Sequence, residues 1–123
     1  NETLDLCKKQ ILDYLAGARR EFELPLDWSS ITGFQSDVLH LTNKIPYGEV
    51  LTYGGIARTL GKPAASRAVG GALSRNPIPI LIPCHRVVAA SGALTGYSAA
   101  DGITTKATLL KLEGHRIVGQ KLD

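Results

Sequence analysis

Apolar residues recur at helical spacing in three stretches of the chain, with polar residues at the positions between them. The spacing predicts amphipathic helices over residues 3–16, 32–44 and 103–113, the second of which begins with a capping-box sequence at Thr32. A cysteine on the apolar stripe of the first helix is predicted to serve in packing. That stripe consists of Leu4, Cys7, Ile11, Leu15 and Ala18.

Between the first two helices, apolar and polar residues alternate. The apolar positions are Phe22, Leu24, Leu26 and Trp28. A period of two is typical of a strand, but Pro25 lacks the N–H that a ladder needs. The pattern therefore predicts either an edge strand or an extended linker.

Two shorter helices are predicted in the middle of the chain. Thr52 can cap a helix over residues 53–60 that Gly61 ends, and Pro63 suits the first turn of a helix that continues to about Arg75. Two short helices joined by a tight turn with a glycine are typical of a helix-turn-helix. Small residues line the second helix, and they fit either a narrow space such as the minor groove of DNA or a neighbouring helix.

After these helices the chain is apolar but irregular. Residues 78–83 contain two prolines, so we expect a buried extended segment and no regular central strand. Val87-Val88 and Leu94 flank Ser91-Gly92, a pattern that indicates a small hairpin or wing. The predicted fold is mostly α, with one short β hairpin.

Length and composition narrow the function classes. With 123 residues, 44% apolar and 20% charged, the chain is expected to form a compact globular protein. No apolar run reaches the roughly 20 residues that span a bilayer, and the start does not resemble a signal peptide. The two cysteines and three histidines show no metal-ligand spacing, so neither a metal nor a cofactor is expected, and we expect a reducing intracellular setting.

Charge is unevenly distributed along the chain. Residues 1–33 contain four basic and six acidic side chains, whereas residues 50–100 contain five basic and no acidic ones. An acid-free stretch of this kind indicates a surface that binds an anionic partner, although a solvated basic surface is the alternative.

A cysteine with two basic neighbours follows the apolar run. A base beside Cys84 could draw its thiol toward the nucleophilic thiolate, whereas a lone buried cysteine is usually only a small apolar side chain. Adjacent side chains of an extended segment point to opposite faces, so His85 could reach Cys84 only through a tight turn or a bridging water. Glu113, at the end of the last helix, could orient the imidazole.

The heptad Ile82-Pro83-Cys84-His85-Arg86-Val87-Val88 resembles the active-site signature of the O6-alkylguanine-DNA alkyltransferases, also called methylated-DNA–protein-cysteine methyltransferases. Six other blocks resemble further motifs of this family, in order, so that the resemblance covers about residues 32–115. They are residues 45–50, 52–54, 67–72, 75–82, 95–97 and 109–114.

The resemblance implies a role for each matched residue of the reaction. Cys84 would be the nucleophile and permanent alkyl acceptor, and His85 would act as its base through a water. Glu113 would orient the imidazole, and Asn76 would stabilise the turn that holds the cysteine. Tyr53 would contact the phosphate 3′ to the flipped nucleotide and donate a proton to the leaving guanine.

The resemblance also implies a DNA-binding surface and a base pocket. Arg67 would enter the base stack where the flipped base has left. The other residues implied to bind DNA are Thr52, Ser66, Ala68, Gly70, Gly71 and Arg75. Tyr97, Ser98 and Val87 would line the guanine pocket. The segment after Tyr97 is longer than is usual in the family and contains an acidic residue.

The fold implied is a winged-helix-like helix-turn-helix domain, the C-terminal alkyltransferase domain, over residues 32–123. Residues 1–31 resemble only the last helix and connecting segment of the family's N-terminal α/β domain, most of which is missing. The partner would be double-stranded DNA that contains O6-alkylguanine, and O4-alkylthymine would be a second substrate. We expect a monomer, with no membrane partner, in the cytoplasm or, in a eukaryote, the nucleus.

Three other functions compete with single-turnover alkyl transfer. Alkyltransferase-like proteins bind alkyl lesions without transfer, but they typically have tryptophan at the position of Cys84. A helix-turn-helix regulator would need side chains that read base edges on residues 63–75, where small residues dominate. A cysteine hydrolase would turn over repeatedly on an acyl substrate.

Overall fold

The computed structural model describes residues 1–95 and 102–123, which are mostly helical, as predicted. The helices are α1 (Glu2–Leu15), α2 (Gly33–Asn43), α3 (Tyr53–Thr59), α4 (Ser66–Ser74) and α5 (Ile103–Leu112). The strands have two residues each and are β1 (Leu51–Thr52), β2 (Val87–Val88), β3 (Ile117–Val118) and β4 (Lys121–Leu122). The chain divides into two compact units, Asn1–Ser30 and Ile31–Asp123. That the first unit is the end of an N-terminal domain stays a prediction.

In the first unit, α1 has the predicted length, but the predicted buried stripe is wrong. Leu4, Leu15 and Ala18 are exposed, whereas Gln10 and Tyr14 are buried. Gln10 and Tyr14 are buried because the segment that follows α1 packs on the side of the helix that contains them. The Gln10 amide bonds both backbone groups of Glu23, at 2.9 and 3.3 Å, and so replaces a sheet partner.

The alternating segment after α1 is extended, with exposed and half-buried residues in turn, and it forms no strand. Of the two alternatives, the structure shows the extended linker. The ring of Phe22 lies 5.4 Å from that of Tyr14, which fixes the segment on the helix.

The second unit begins with α2, whose predicted capping box is not formed. The helix starts after Thr32 as expected, but the Thr32 side chain makes no cap hydrogen bond. The Gln35 amide instead donates to the backbone oxygen of Arg75, at 3.2 Å. It thus satisfies a carbonyl at the end of α4, where helical partners are missing.

The helix-turn-helix consists of α3 and α4. The Thr52 hydroxyl accepts from Gly55 N at 2.9 Å, and this cap is worth about 1 kcal/mol. Gly61 follows α3 with a φ of 75°, a conformation that glycine adopts without strain. The predicted start of α4 is wrong by three residues. Ala65 N bonds Lys62 O at 2.9 Å, so Pro63 occupies a separate turn, in which proline is favoured, before the helix begins at Ser66.

The short strands join distant parts of this unit. Strand β2 pairs in parallel with β1, and not with a strand at Leu94 as the hairpin prediction implied. A tight turn does follow, closed by a bond from Ala89 N to Ala93 O at 3.1 Å. Ala93 then pairs with Lys121 of the β3–β4 hairpin, which the sequence analysis missed.

These connections enclose a small apolar core around Val88, Leu94 and Leu110, each at most 2% exposed. The spacing of the last helix predicts Leu109, Leu110 and Leu112 on its inward face; the first two are buried and Leu112 is half-buried. Within the described residues, none of the helices has the length and apolar character that crossing a membrane requires.

Candidate active site

A braced turn precedes Cys84. The Asn76 side chain donates to Ile82 O and accepts from Ile78 N, both at 2.9 Å. Ile82 N also bonds Ile78 O at 3.0 Å, so this segment turns back on itself and the predicted extended conformation is wrong. Because proline has no N–H for a ladder, the run with two prolines folds into a turn, in which Ile80 has a φ of 75°. Asn76 thus braces the turn that precedes Cys84, and its role in the reaction stays a prediction.

Cys84 begins a single turn of 3₁₀ helix, Cys84–Arg86, in which Arg86 N bonds Pro83 O at 2.9 Å. The backbone thus forms a tight turn, and a bridging water between His85 and Cys84 stays a prediction. Cys84 is 8% exposed, and the His85 side chain is fully buried. The nucleophile and base predicted from the sequence are thus neighbours within one buried turn.

The structure brings His85 and Glu113 together across the unit. His85 Nε2–H donates to Glu113 Oε2 at 2.8 Å, and both side chains are fully buried. A carboxylate only accepts hydrogen bonds, so Nε2 holds the hydrogen and Nδ1, which is also buried, keeps its lone pair. This tautomer leaves a basic nitrogen on the imidazole.

Burial sets the protonation state of both groups. It lowers the pKa of His85, because the charged imidazolium loses its hydration, and this outweighs the opposing effect of Glu113. Burial likewise raises the pKa of the Cys84 thiol, against a hydrogen bond from Asn76 and the charge of Lys106. The resting site therefore contains a protonated thiol beside a neutral base, and the thiolate suggested by the sequence must form during the reaction.

Lys106 is a residue of the site that the sequence analysis missed. Its side chain is 1% exposed, and Nζ donates to Val87 O at 2.6 Å and to Thr95 O at 2.8 Å. Burial lowers the pKa of its ammonium to about 8. The spacing contained a signal, since Lys106 lies three and four residues before the inward leucines of α5.

Tyr53, at the start of α3, lies beside this ammonium. Its hydroxyl donates to Thr95 O at 2.7 Å and accepts from Lys106 Nζ at 3.4 Å. Burial raises the pKa of the phenol, so the hydroxyl keeps its proton. Tyr97 and Ser98, implied to line the guanine pocket, lie outside the described residues. Val87 is described, and its side chain is fully buried.

The exposed side of α4 is narrow and basic. Arg67 and Ala68 are exposed near its start and Arg75 just beyond its end. Ser66, Gly70 and Gly71 are half-buried, and a Cβ on Gly70 would lie 3.9 Å from the Tyr53 ring. The small residues thus serve partly to admit α3 and partly to keep the outer side slim.

Thr52 differs from the other residues implied to bind DNA, because its hydroxyl is occupied as the cap of α3. Among residues 1–95 and 102–123, no group of three or more histidine, cysteine or acidic side chains could hold a metal ion.

Comparison with known proteins places this geometry in a family. Residues 33–121 match the model of a protein family described as the DNA-binding domain of 6-O-methylguanine DNA methyltransferase. The chain is 51% identical over 106 residues to a methylated-DNA–protein-cysteine methyltransferase of Methanosarcina acetivorans, covering 86% of this chain and 66% of the relative. It therefore spans slightly less than two thirds of the length of this curated relative.

Solved structures of methyltransferases and of a related lesion-binding protein have folds similar to that of this chain. The crystal structure of a Mycobacterium tuberculosis OGT in complex with DNA matches with a TM-score of 0.83 at 48% identity, over 89% of this chain and 66% of that one. The structure of Schizosaccharomyces pombe Atl1, in complex with damaged DNA containing O6-carboxymethylguanine, matches with a TM-score of 0.65 at 33% identity. This match covers 73% of this chain and 88% of Atl1. The chain belongs to the 6-O-methylguanine DNA methyltransferase family, whose DNA-binding domain forms most of its length.

Proposed function

We propose that this chain repairs DNA by moving the alkyl group of O6-alkylguanine to Cys84, once per molecule. One observation supports this most directly: a buried cysteine shares a tight turn with a neutral histidine, whose other nitrogen is bonded to a buried carboxylate at 2.8 Å. The names of the relatives support the same reaction. A DNA substrate also implies a cytoplasmic or, in a eukaryote, nuclear location.

The reaction balances without a cofactor. His85 Nδ1 accepts the thiol proton of Cys84, through a bridging water, and the electron pair stays on sulfur. The sulfur attacks the alkyl carbon, the bond between carbon and O6 breaks, and its electron pair goes to the guanine. The guanine takes up a proton from the Tyr53 hydroxyl. The imidazolium of His85 then returns a proton to Tyr53, so no proton is gained or lost overall. The thioether that remains has no leaving group for hydrolysis, which limits each molecule to one reaction.

The base must leave the duplex before this attack, because O6 of a stacked guanine cannot reach a buried sulfur. The slim outer side of α4 suits the minor groove, where small side chains allow close approach. Arg67, exposed at the start of this helix, is the residue we propose to fill the stack. The other groups proposed to contact DNA are Ser66, Ala68, Gly70, Gly71 and Arg75.

The first test is stoichiometry. Incubation with duplex DNA that contains O6-methylguanine should add one CH₂ unit to the mass of the peptide that includes Cys84, with one lesion repaired per protein molecule. The peptide that includes Cys7 is the internal control and should keep its mass. Repeated turnover would indicate a hydrolase, and tight lesion binding without a mass change would indicate a lesion-binding protein.

A second prediction separates base extrusion from chemistry. Replacing Arg67 with alanine should slow repair of duplex DNA by about tenfold or more, since the vacated stack loses its filler. Reaction with free O6-benzylguanine should keep the unmodified rate, because a free base needs no extrusion. Rates of both reactions under single-turnover conditions provide the measurement.

The matched control is Arg116→Ala, which removes an arginine whose side chain is 81% exposed outside α4. Both of its rates should equal those of the unmodified chain. Equal losses on duplex and free base for Arg67→Ala would exclude the extrusion role.

A further inference from the structure

Arg86 is a buried cation that the proposed reaction does not use. It is 7% exposed, and all three of its nitrogens are engaged. Nε and Nη2 donate to the two oxygens of Glu113, each at 2.8 Å, and Nη1 donates to Ile45 O at 2.7 Å. Its guanidinium lies 5.7 Å from the centre of the Tyr47 ring. The planar group is thus fixed at every hydrogen-bonding edge.

The surrounding backbone holds the carboxylate from the other side. The Tyr47 hydroxyl donates to Leu112 O at 3.0 Å, which ties the end of α5 to the turn after α2. Glu113 is the next residue, so its main chain is fixed where Arg86 fixes its side chain. Replacing such a buried pair with apolar residues is often neutral or stabilising, so stability alone is a weak reason for it.

The pair has a consequence for the imidazole. Glu113 Oε2 accepts from both Arg86 Nη2 and His85 Nε2, each at 2.8 Å. The guanidinium keeps the carboxylate ionised and reduces its attraction for the imidazole proton. The hydrogen therefore stays on Nε2, and Nδ1 keeps the lone pair that must accept the proton of Cys84.

The other charges near His85 do not supply this effect. Glu113 and Lys106 face it from α5, and Cys84 and Arg86 belong to its own turn. The positive charges of Arg86 and Lys106 both disfavour the imidazolium. Arg86 also bonds the carboxylate that bonds the histidine, through both carboxylate oxygens.

We propose that Arg86 is a positioning residue for alkyl transfer, which holds Glu113 ionised and oriented so that His85 keeps its basic Nδ1. This inference rests on the proposed function and deepens it. Arg86 itself touches neither the alkyl group nor the sulfur in this scheme. It acts through Glu113 and His85.

The pH profile of alkyl transfer tests the proposal. The rate constant for a single turnover with free O6-benzylguanine would be measured against pH for the unmodified chain, Arg86→Met and Arg86→Lys. Without the guanidinium, a proton binds more readily to Glu113 or to His85, and either event blocks the base. The rising acid limb of Arg86→Met should therefore move up by about one pH unit, so that the rate is about tenfold lower on that limb and differs less at neutral pH.

Arg86→Lys keeps the charge but can bond only one carboxylate oxygen well, so a smaller shift and a rate several-fold lower are expected. Arg116→Met is the control, since it removes an exposed arginine three residues beyond Glu113, and its profile should equal that of the unmodified chain. If Arg86→Met does not fold, Arg86→Lys decides, because an unchanged rate and profile in that variant overturn the proposal.

A second readout separates this inference from the proposed function. The ¹⁵N chemical shifts of His85 distinguish a protonated Nε2 from a protonated Nδ1 without any substrate. In the unmodified chain we expect the hydrogen on Nε2, and in Arg86→Lys a mixture of tautomers or a protonated ring. The same pure tautomer in both chains would overturn the inference, whereas absence of transfer in the unmodified chain would overturn the proposed function.

Discussion

Replacing Cys84 with serine should abolish the mass gain that O6-methylguanine DNA produces. A serine hydroxyl is far harder to deprotonate than a thiol, and neutral His85 is too weak a base to ionise it in a buried site. Serine is close to cysteine in size, so the turn that Asn76 braces should persist. The measurement is the mass of the peptide that includes residue 84 after incubation with excess lesion DNA.

The control for this variant is Cys7→Ser, because Cys7 lies in the first unit on α1 and outside the turn of the site. Cys7→Ser should take up one methyl group per molecule, as the unmodified chain does. Lesion DNA should still bind to Cys84→Ser, since the exposed side of α4 is unchanged. A methylated Cys7 peptide, or transfer that survives in Cys84→Ser, contradicts the proposed mechanism.

Replacing Lys106 with methionine should slow alkyl transfer by about ten- to a hundredfold. The ammonium opposes the burial effect on the pKa of Cys84, so its loss makes the thiolate harder to form. The substitution also removes the hydrogen bond from Lys106 Nζ to the Tyr53 hydroxyl, at 3.4 Å. Tyr53, the proposed proton donor to the guanine, is then held less firmly. Single-turnover rates with free O6-benzylguanine measure the loss. Lys111→Met, an exposed change on the same helix, should keep the unmodified rate, and an equal rate in Lys106→Met would contradict this role.

Lys106 should also alter how stability depends on pH. The pKa of its ammonium is about 8 in the folded chain and 10.5 in an unfolded one. Between these values the unfolded chain holds a proton that the folded chain has lost, so unfolding becomes less favourable as pH rises. The buried charge of Lys106 lowers the free energy of unfolding by its full amount below pH 8. This destabilisation is gone above pH 10.5, so the free energy of unfolding rises by about 3 kcal/mol across the range. Denaturant unfolding of the unmodified chain and Lys106→Met across this range should show the gain only in the former.

Local signals in the sequence predicted the helices well, because spacing and stop residues act within a few residues. They failed where a distant segment decides the outcome. The buried side of α1 follows from the segment that covers Gln10, and the Gln35 side chain bonds the end of α4 instead of its own helix. Pairing of β1 with β2 and the hairpin of β3 and β4 also join positions that no local pattern connects.

The candidate site was predictable as a set of residues but not as an electrostatic environment. The resemblance named Cys84, His85 and Glu113, and the structure shows the last two in contact. It did not indicate that Lys106 and Arg86 are buried beside them, because a charged residue in a sequence is by default expected at the surface. Nor could spacing show that burial keeps the thiol protonated at rest.

The pairing of Leu51 with Val87 joins two distant parts of the chain, so we expect it to form later than the local helices. Strand β1 runs directly into α3, and β2 follows directly after the turn of Cys84, so one short ladder encloses a large loop. Loop closure of this size is an entropic barrier that local helices do not face. Because Cys84 lies in the turn just before β2, we expect opening of this ladder to expose its thiol to labelling reagents. The rate of thiol labelling under native conditions would therefore report how often the ladder opens.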